Sequence, residues 1–289
     1  MKVYINGKYV DESEATVSIF DRCFLYGDGL FETILIFNHR PFKLVEHLER
    51  LKRGIEFLKI PYSINYEEIH RAAKDLSYVN NMPKGMLRIQ VTRGAGLRGY
   101  STRGTKNPII TMSIHPMPVI DPEEPIQWSV ITASARVPVN NPLMNFKTCN
   151  KLTNIFAKQE AELNGADDAL LLNTDNEVVS TSSGNLFFIN SDIILTPPVE
   201  SGALPGITRE TIFKLCKEMG IHYGESNIKL NQLYNMDGVF ISMSSWGIIE
   251  ITKINNKDIR ASNFTKMLYK QYWKIVDDEC PQEQSDVQQ

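Results

Sequence analysis

Three short stretches of this chain hold residue types that could do chemistry. Lys147 lies in Asn145-Phe-Lys-Thr-Cys-Asn-Lys151, among neighbours that are mostly uncharged. A lysine in partly apolar surroundings has its pKa lowered, and the free amine can then form a Schiff base. Taken alone, Lys147 reads as a solvated loop lysine. Arg93 and Arg98 lie in Arg93-Gly-Ala-Gly-Leu-Arg-Gly-Tyr100-Ser. The glycines there suit a flexible loop, and the two arginines suit a carboxylate-rich substrate. Gly206-Ile-Thr-Arg209 precedes a helical pattern. Thr208 there reads as an N-cap, and helix N-termini also offer free N–H groups to phosphate.

The elements that must position these residues follow from periodicity. Asn6-Gly7 between Tyr4-Ile5 and Lys8-Tyr9-Val10 predicts a two-residue hairpin. Leu30 to Phe37 reads as a buried strand. Leu44, Leu48, Leu51, Ile55 and Leu58 line one side of a helix, with Arg50 beside them as an exposed helix arginine by residue type alone. Asn65 is placed to cap a second helix reaching about Val79. Leu87, Ile89 and Val91 alternate with polar residues, which predicts a half-exposed strand. Pro108 to Ile114 reads as another strand. Leu152, Ile155, Phe156 and Leu163 fall at helical spacing, and Gly165 stops that helix. Ala169 to Leu172, Val178 onward, Leu186 to Ile189, Ile193 to Thr196 and Val239 to Ser242 read as strands. Ile212, Leu215, Cys216 and Met219 share a helix face that Gly220 ends, and Met267 to Val276 forms a last helix before a polar tail from Asp277.

Bulk properties narrow the function classes. The 289 residues suffice for one large or two ordinary domains, and 42% apolar with 22% charged residues is ordinary for a globular protein. A net charge of -3 gives no sign of a nucleic-acid or anionic-membrane partner. No apolar run approaches a membrane span, and Met1-Lys-Val-Tyr-Ile-Asn-Gly reads as a strand and turn, not a signal peptide, so a cytoplasmic location is expected. Cys23, Cys149, Cys216 and Cys280 are scattered and read as free thiols, with Cys149 a small packing residue. The five histidines have no metal-ligand spacing, so no metal is expected. The proline-rich stretch from His115 to Pro125 is the candidate boundary between a domain of residues 1–118 and one of residues 119–289 that carries Lys147.

The order of Lys147, helix, apolar strand, the polar turn Thr174-Asp-Asn-Glu177, and Val178-Val-Ser-Thr-Ser-Ser-Gly-Asn-Leu-Phe-Phe188 resembles the fold-type IV pyridoxal-phosphate enzymes. That class IV aminotransferase family holds the branched-chain and D-amino acid aminotransferases and 4-amino-4-deoxychorismate lyase. The resemblance runs from Tyr4 to about Ile254. It implies an α/β (α+β) fold of two domains: a small α/β domain and a larger one with a pseudo-barrel core, with pyridoxal 5'-phosphate between them. It implies that Lys147 bonds to the cofactor and acts as the catalytic base. It also implies that Arg50, within His47-Leu-Glu-Arg-Leu51, binds the phosphate along with Ile207, Thr208 and Ser244. His47, one turn from Arg50, is expected near the site or at the surface without touching the ligand.

The loop from Arg93 to Tyr100 is closest in wording to the lyases. Arg93, Arg98 and Tyr100, with Phe31, are then expected to bind the substrate. The resulting expectation is a folate-pathway lyase that releases 4-aminobenzoate and pyruvate. Glu32, in Phe31-Glu-Thr, resembles the aminotransferase version of its strand and keeps an aminotransferase reading open, as does a cofactor-binding relative without catalysis. The family resemblance also implies a homodimer. One residue departs from the pattern. Relatives carry at position 180 a glutamate that pairs with the cofactor's ring N–H, and this chain carries Ser180, a ring-nitrogen contact without charge.

Overall fold

The structure, a computed structural model, describes residues 1–282. The chain divides into two compact units. One is Met1–Pro118 with Lys147–Cys149 and the chain from Lys274 onward; the other is Val119–Phe146 with Asn150–Trp273. The division does not leave Lys147 with the second domain, as the sequence suggested. Residues 147–149 pair with a strand of the first unit, which decides their placement.

In the first unit, Asn6 and Gly7 take φ of 45° and 86° and turn β1 (Lys2–Ile5) into β2 (Lys8–Asp11). Asp21 caps the short α1 (Arg22–Tyr26) by accepting from the Cys23 N–H. β3 (Gly29–Phe37) and β4 (Arg40–Pro41) follow, then α2 (Leu44–Leu58), α3 (Tyr66–Val79), β5 (Gly85–Thr92) and β6 (Ile109–His115). The strands form one antiparallel sheet in the order β2-β1-β6-β5-β3-β4. Burial alternates along β6 and the middle of β5. Leu30, Ile34, Leu87, Ile89, Val91, Met112 and Ile114 are buried on one face, while Thr33, Arg88, Gln90, Thr111 and Ser113 of the other face are only half-buried. Leu44, Leu48, Leu51 and Ile55 of α2 and Ile69, Ala72, Ala73 and Leu76 of α3 are buried as the helix-face spacing requires.

The Asn65 side chain accepts from the Glu68 N–H at 3.2 Å, as its position before α3 predicts. Asn65→Ala leaves that N–H without its cap and is expected to cost about 1 kcal/mol. Urea unfolding should show a lower midpoint with an unchanged slope, and an unchanged midpoint would refute a stabilising cap.

The second unit holds β7 (Gln127–Val137), α4 (Leu152–Leu163), β8 (Asp168–Asn173), β9 (Val178–Thr181), β10 (Asn185–Asn190), β11 (Ile193–Thr196), α5 (Ile207–Glu218), β12 (His222–Glu225), α6 (Leu230–Leu233), β13 (Gly238–Met243), β14 (Gly247–Ile254) and β15 (Lys257–Asp258). The strand order is β12-β11-β10-β13-β14-β7-β8-β9, with β15 on β14. A further pairing of β9 with β10, at Ser180 and Asn185, joins the two sides of six of these strands into a closed ring. This is the barrel core that the resemblance implied. One set of alternate side chains, including Leu170, Leu186, Phe188, Val239, Ile241, Ile249 and Ile251, packs into a single apolar cluster. On the other face Phe187 stacks on Phe240 at 4.8 Å.

Two elements depart from the sequence reading. Leu152, Ile155, Phe156 and Leu163 of α4 are exposed, by 77%, 62%, 46% and 80%. The buried side of that helix is Ala157 and Ala161, whose small side chains let it lie close to Ala133, Ala169 and Leu171. The last helix, α7 (Asn263–Glu279), runs past Asp277. Its end is held in the first unit, where the Asn38 amide donates to the Cys280 carbonyl at 2.8 Å and Lys43 pairs with Glu279. The rest of the expected polar tail lies outside the described residues. Among the described residues no helix is long and apolar enough to cross a membrane, and no cluster of side chains suits a metal.

Candidate active site

Lys147 is delivered by three residues of strand. Leu30 and Thr148 form an antiparallel bridge, the Phe31 N–H donates to the Lys147 carbonyl at 2.9 Å, and the Cys149 N–H donates to the Gly29 carbonyl at 2.9 Å. Directly opposed residues of an antiparallel pair share a face, so Lys147 stands with Phe31. Its Nζ lies 4.8 Å from the Phe31 ring centre. Arg88 reaches the same ring from the next strand, with its guanidinium carbon at 3.9 Å. Arg88 donates to the neutral Gln90 side chain at 3.0 and 3.2 Å. Burial lowers the Arg88 pKa, against the raising influence of Cys149 and Cys23. An amine and a guanidinium over one aromatic ring form a surface for a small anion that carries a nitrogen.

Arg88 did not stand out in the sequence. It belongs to the polar half of an alternating strand, which reads as a solvated face. Its signal would have been register: Thr33 pairs with Arg88, so Arg88 is the diagonal neighbour of Phe31.

Arg50 is organised from beneath. It is on the buried side of α2, 4% exposed, not on the surface. Glu32 receives its Nε at 2.8 Å and its Nη2 at 2.6 Å, and receives His47 Nδ1 at 2.7 Å. Burial alone would raise the Glu32 pKa, but the Arg50 charge and hydrogen bonds, with those of His47, carry it down to about 2. The His47 pKa is lowered, first by burial, although Glu32 acts to raise it; Arg50 and Lys147 add to the lowering. His47 is thus a buried neutral ring near Lys147, and not the surface residue the sequence allowed.

The loop after β5 has a different role for each of its named residues. Arg93 is buried, and each of its three side-chain nitrogens donates within the fold. It donates from Nε to Asp28 at 2.8 Å, and from its two terminal nitrogens to the Lys59 and Leu58 carbonyls at 2.8 and 2.7 Å. Arg93, expected from the sequence to bind substrate, is held by the Asp28 carboxylate and by the Leu58 and Lys59 carbonyls at the end of α2. Asp28 also receives Arg22 Nε at 2.8 Å, and Arg22 holds the Gly99, Tyr100 and Ser101 carbonyls. Arg98 and Tyr100 therefore ride on a loop that Arg22 shapes. Both are exposed, with the Tyr100 ring edge-on to Tyr26 at 5.6 Å.

The remaining candidates cluster in the second unit. Ser180 is the residue of the barrel seam, opposite Leu171 on one side and Asn185 on the other. Asn185 in turn opposes Ser242, so Ser180, Asn185 and Ser242 share a face. The seam turn is fixed by the buried Asp168, which accepts from the hydroxyls of Ser182 and Ser183. A Cβ at Gly184 would lie 2.3 Å from the Ile241 side chain, which explains glycine at that turn. A Cβ at Gly206 would lie 2.1 Å from Asn185 Oδ1. Gly206 opens α5, whose first turn, Ile207 and Thr208, receives no side-chain cap, and Thr208 is buried. The Ser242 hydroxyl is buried without a hydrogen-bond partner. Ser244 lies half-buried in the turn that follows β13. Uncapped helix N–H groups beside an unpartnered buried hydroxyl suit an anion such as phosphate.

Residues 29–254 match the family model of amino-transferase class IV. A protein named "Putative branched-chain-amino-acid aminotransferase", from Methanocaldococcus jannaschii, is 37% identical over 95% of this chain and 96% of its own length. An aminodeoxychorismate lyase of Bacillus subtilis is 29% identical over 93% of each chain. The T.th. branched-chain amino acid aminotransferase, solved with pyridoxamine 5'-phosphate, superposes with a TM-score of 0.87 at 26% identity, covering 97% of this chain and 95% of that one.

Proposed function

The chain belongs to the amino-transferase class IV family of pyridoxal-phosphate enzymes, and from that premise we propose that it is a lyase that splits 4-amino-4-deoxychorismate into 4-aminobenzoate and pyruvate. The residues present fit the cofactor. The unpartnered Ser242 hydroxyl and the uncapped start of α5, kept clear by Gly206, suit its phosphate, and Lys147 supplies an amine. Ile207, Thr208, Ser244 and Arg50 are the proposed phosphate ligands. When bound, pyridoxal phosphate supplies an electron-accepting ring next to the substrate nitrogen.

Ser180 carries the choice of reaction. Ser180 stands at the barrel seam opposite Asn185, and it is an uncharged hydroxyl where the family resemblance implies a glutamate. Glu177 is no substitute, because its carboxylate accepts from the Asn173 amide at 3.2 Å and an odd step along a strand reverses the face. A hydroxyl can donate to or accept from a ring nitrogen without fixing a proton there. That weakens the ring as an electron acceptor, which favours a reaction drawn forward by its own products. Loss of pyruvate with aromatisation of the six-membered ring is such a reaction; transamination, which must hold and return the proton, is not.

In this reading the Lys147 amine takes the proton from the carbon that bears nitrogen. Phe31 provides the apolar floor, and Arg88, beside Lys147 over that ring, receives a substrate carboxylate. Arg98 and Tyr100 are proposed to contribute from the loop that Arg22 holds. The exposed Phe20, Phe24, Leu97 and Tyr100, all at least 62% exposed, support a homodimer as the working assembly.

A second reading, an aminotransferase, is favoured by the 37% identity to the Methanocaldococcus jannaschii protein against 29% to the Bacillus subtilis lyase. The deciding experiment offers 4-amino-4-deoxychorismate and follows 4-aminobenzoate fluorescence, in parallel with D-alanine or leucine plus 2-oxoglutarate. Release of 4-aminobenzoate with little amino transfer supports the lyase; the reverse pattern overturns it. Ser180→Glu is expected to raise amino transfer from D-alanine with little gain in 4-aminobenzoate release. An unchanged transfer rate in that variant would remove Ser180 from the argument.

A further inference from the structure

Two of the four cysteines, distant in sequence, meet at one point of the first unit. Cys149 lies directly across from Gly29 in the pairing that carries Lys147, with its N–H on the Gly29 carbonyl. Gly29 has no side chain, and the space is filled by Cys23. The Cys23 Sγ and Cβ stand 3.0 and 3.3 Å from where a Gly29 Cβ would be. Opposed Cβ positions in an antiparallel pair are roughly 4.5–5.5 Å apart, which puts the Cys23 sulfur beside the Cys149 side chain. The Cys149 thiol is the first influence raising the Cys23 pKa, as a thiol facing it would be. The Gln90 amide donates to Cys23 Sγ at 3.6 Å. Both cysteines are half-buried, whereas Cys216 and Cys280 are buried.

We propose that Cys23 and Cys149 are a dithiol modification site that hydrogen peroxide closes into an intramolecular disulfide. Cys149 is the attacking sulfur. The neighbouring Cys149 thiol and burial raise the Cys23 pKa, which favours the proton staying on Cys23. Arg88 lies close enough to act on both sulfurs, and a guanidinium favours a thiolate. The Cys149 thiolate attacks one peroxide oxygen; the O–O bond breaks, and hydroxide leaves as water with the proton that Cys149 gave up. The Cys23 sulfur then attacks the Cys149 sulfenic acid; the S–O bond breaks, and a second water leaves with the Cys23 proton. Two thiols lose two electrons, and one peroxide becomes two waters. Cys216 and Cys280 serve as internal controls, because burial pushes their thiols up to about 12 and about 11. The new bond would tie the strand of Lys147, two residues away, to α1.

This chemistry does not depend on the reaction assigned to Lys147, so its test reads sulfur directly. The full-length protein is treated with equimolar hydrogen peroxide, quenched and denatured for thiol titration. The count should fall from four to two and return with dithiothreitol. Trypsin without reductant should yield the peptide Thr148–Lys151 linked to the peptide that begins at Cys23. Cys23→Ser should leave Cys149 as a sulfenic acid trapped by dimedone, and Cys149→Ser should keep its three thiols. Four surviving thiols in the wild type, a linkage through Cys216 or Cys280, a disulfide between two chains, or oxidation of Cys149→Ser would each overturn the assignment.

Discussion

Lys147→Ala is expected to abolish the visible absorbance of bound cofactor and to cut turnover by at least roughly 10²–10⁴-fold, the usual worth of a positioned general base. The expectation is specific because the side chain is separable from the fold. The bonds that set residues 147–149 against β3 are made by the main chain, from Phe31 N–H to the Lys147 carbonyl and from Cys149 N–H to the Gly29 carbonyl. Alanine keeps both, so circular dichroism and the unfolding midpoint of the cofactor-free protein should change little. What alanine removes is the amine over the Phe31 ring. Lys147→Arg makes the contrast sharper, since it keeps a charge at that place but offers no amine that can deprotonate near neutral pH. Both variants should therefore be colourless and inactive while folded. A Lys147→Ala protein that kept the absorbance band would mean that another lysine holds the cofactor.

Much of the chain was legible because local rules and tertiary packing agree in it. Asn6-Gly7 made its hairpin, Asn65 capped its helix, and Leu87, Ile89 and Val91 gave a strand, although its other face is half-buried or buried and not exposed. Misreadings fell where side-chain size or pairing partner outweighed pattern. In α4 the apolar residues point outward, and the helix packs by alanines, because close approach to β7 and β8 leaves no room for larger side chains. Arg93 looked like a substrate ligand because it sits in a glycine-rich loop; its burial against Asp28 and the carbonyls ending α2 depends on three separate parts of the sequence. Arg88 was hidden for the converse reason, since a polar residue in an alternating strand normally faces water. The cysteine pair was invisible because Cys23 and Cys149 lie 126 positions apart, and only the strand register brings them to Gly29. Glu32 was read by its neighbours as part of an aminotransferase-like strand, yet its main service is to hold Arg50 and His47.

That service makes Glu32→Ala the substitution with the largest expected effect on stability. Glu32, His47 and Arg50 are each at most 4% exposed. Removing the carboxylate takes from the buried Arg50 guanidinium, which cannot lose its charge, the acceptor of its Nε and Nη2, and breaking such a buried pair costs about 3–5 kcal/mol. Against a usual total of about 5–15 kcal/mol this is a large share. The unfolding temperature should fall by roughly 6–20 °C, taking about 2–4 °C per kcal/mol for a chain of this size. Glu32→Gln keeps an acceptor oxygen and should fall less. Arg50→Met combined with Glu32→Met should recover part of the loss, because both charges of the buried pair are removed together. The pH dependence follows from the same cluster. Glu32 is depressed from 4.5 to about 2 in the folded chain, so its contribution is complete above 4.5 and is lost as pH falls towards 2. His47 is depressed from 6.5, so below that pH the unfolded chain takes up a proton that the folded chain refuses, and stability declines in the same direction. Unfolding temperature measured from pH 7 to pH 3 should thus decline from about pH 6.5 and more steeply below about 4.5. In Glu32→Gln the steeper part should flatten, since no carboxylate remains to titrate at that position. An acid limb of equal steepness in wild type and Glu32→Gln would show that the cluster is not what acid disrupts, and a Glu32→Ala protein as stable as the wild type would show that Arg50 finds its counter-charge elsewhere.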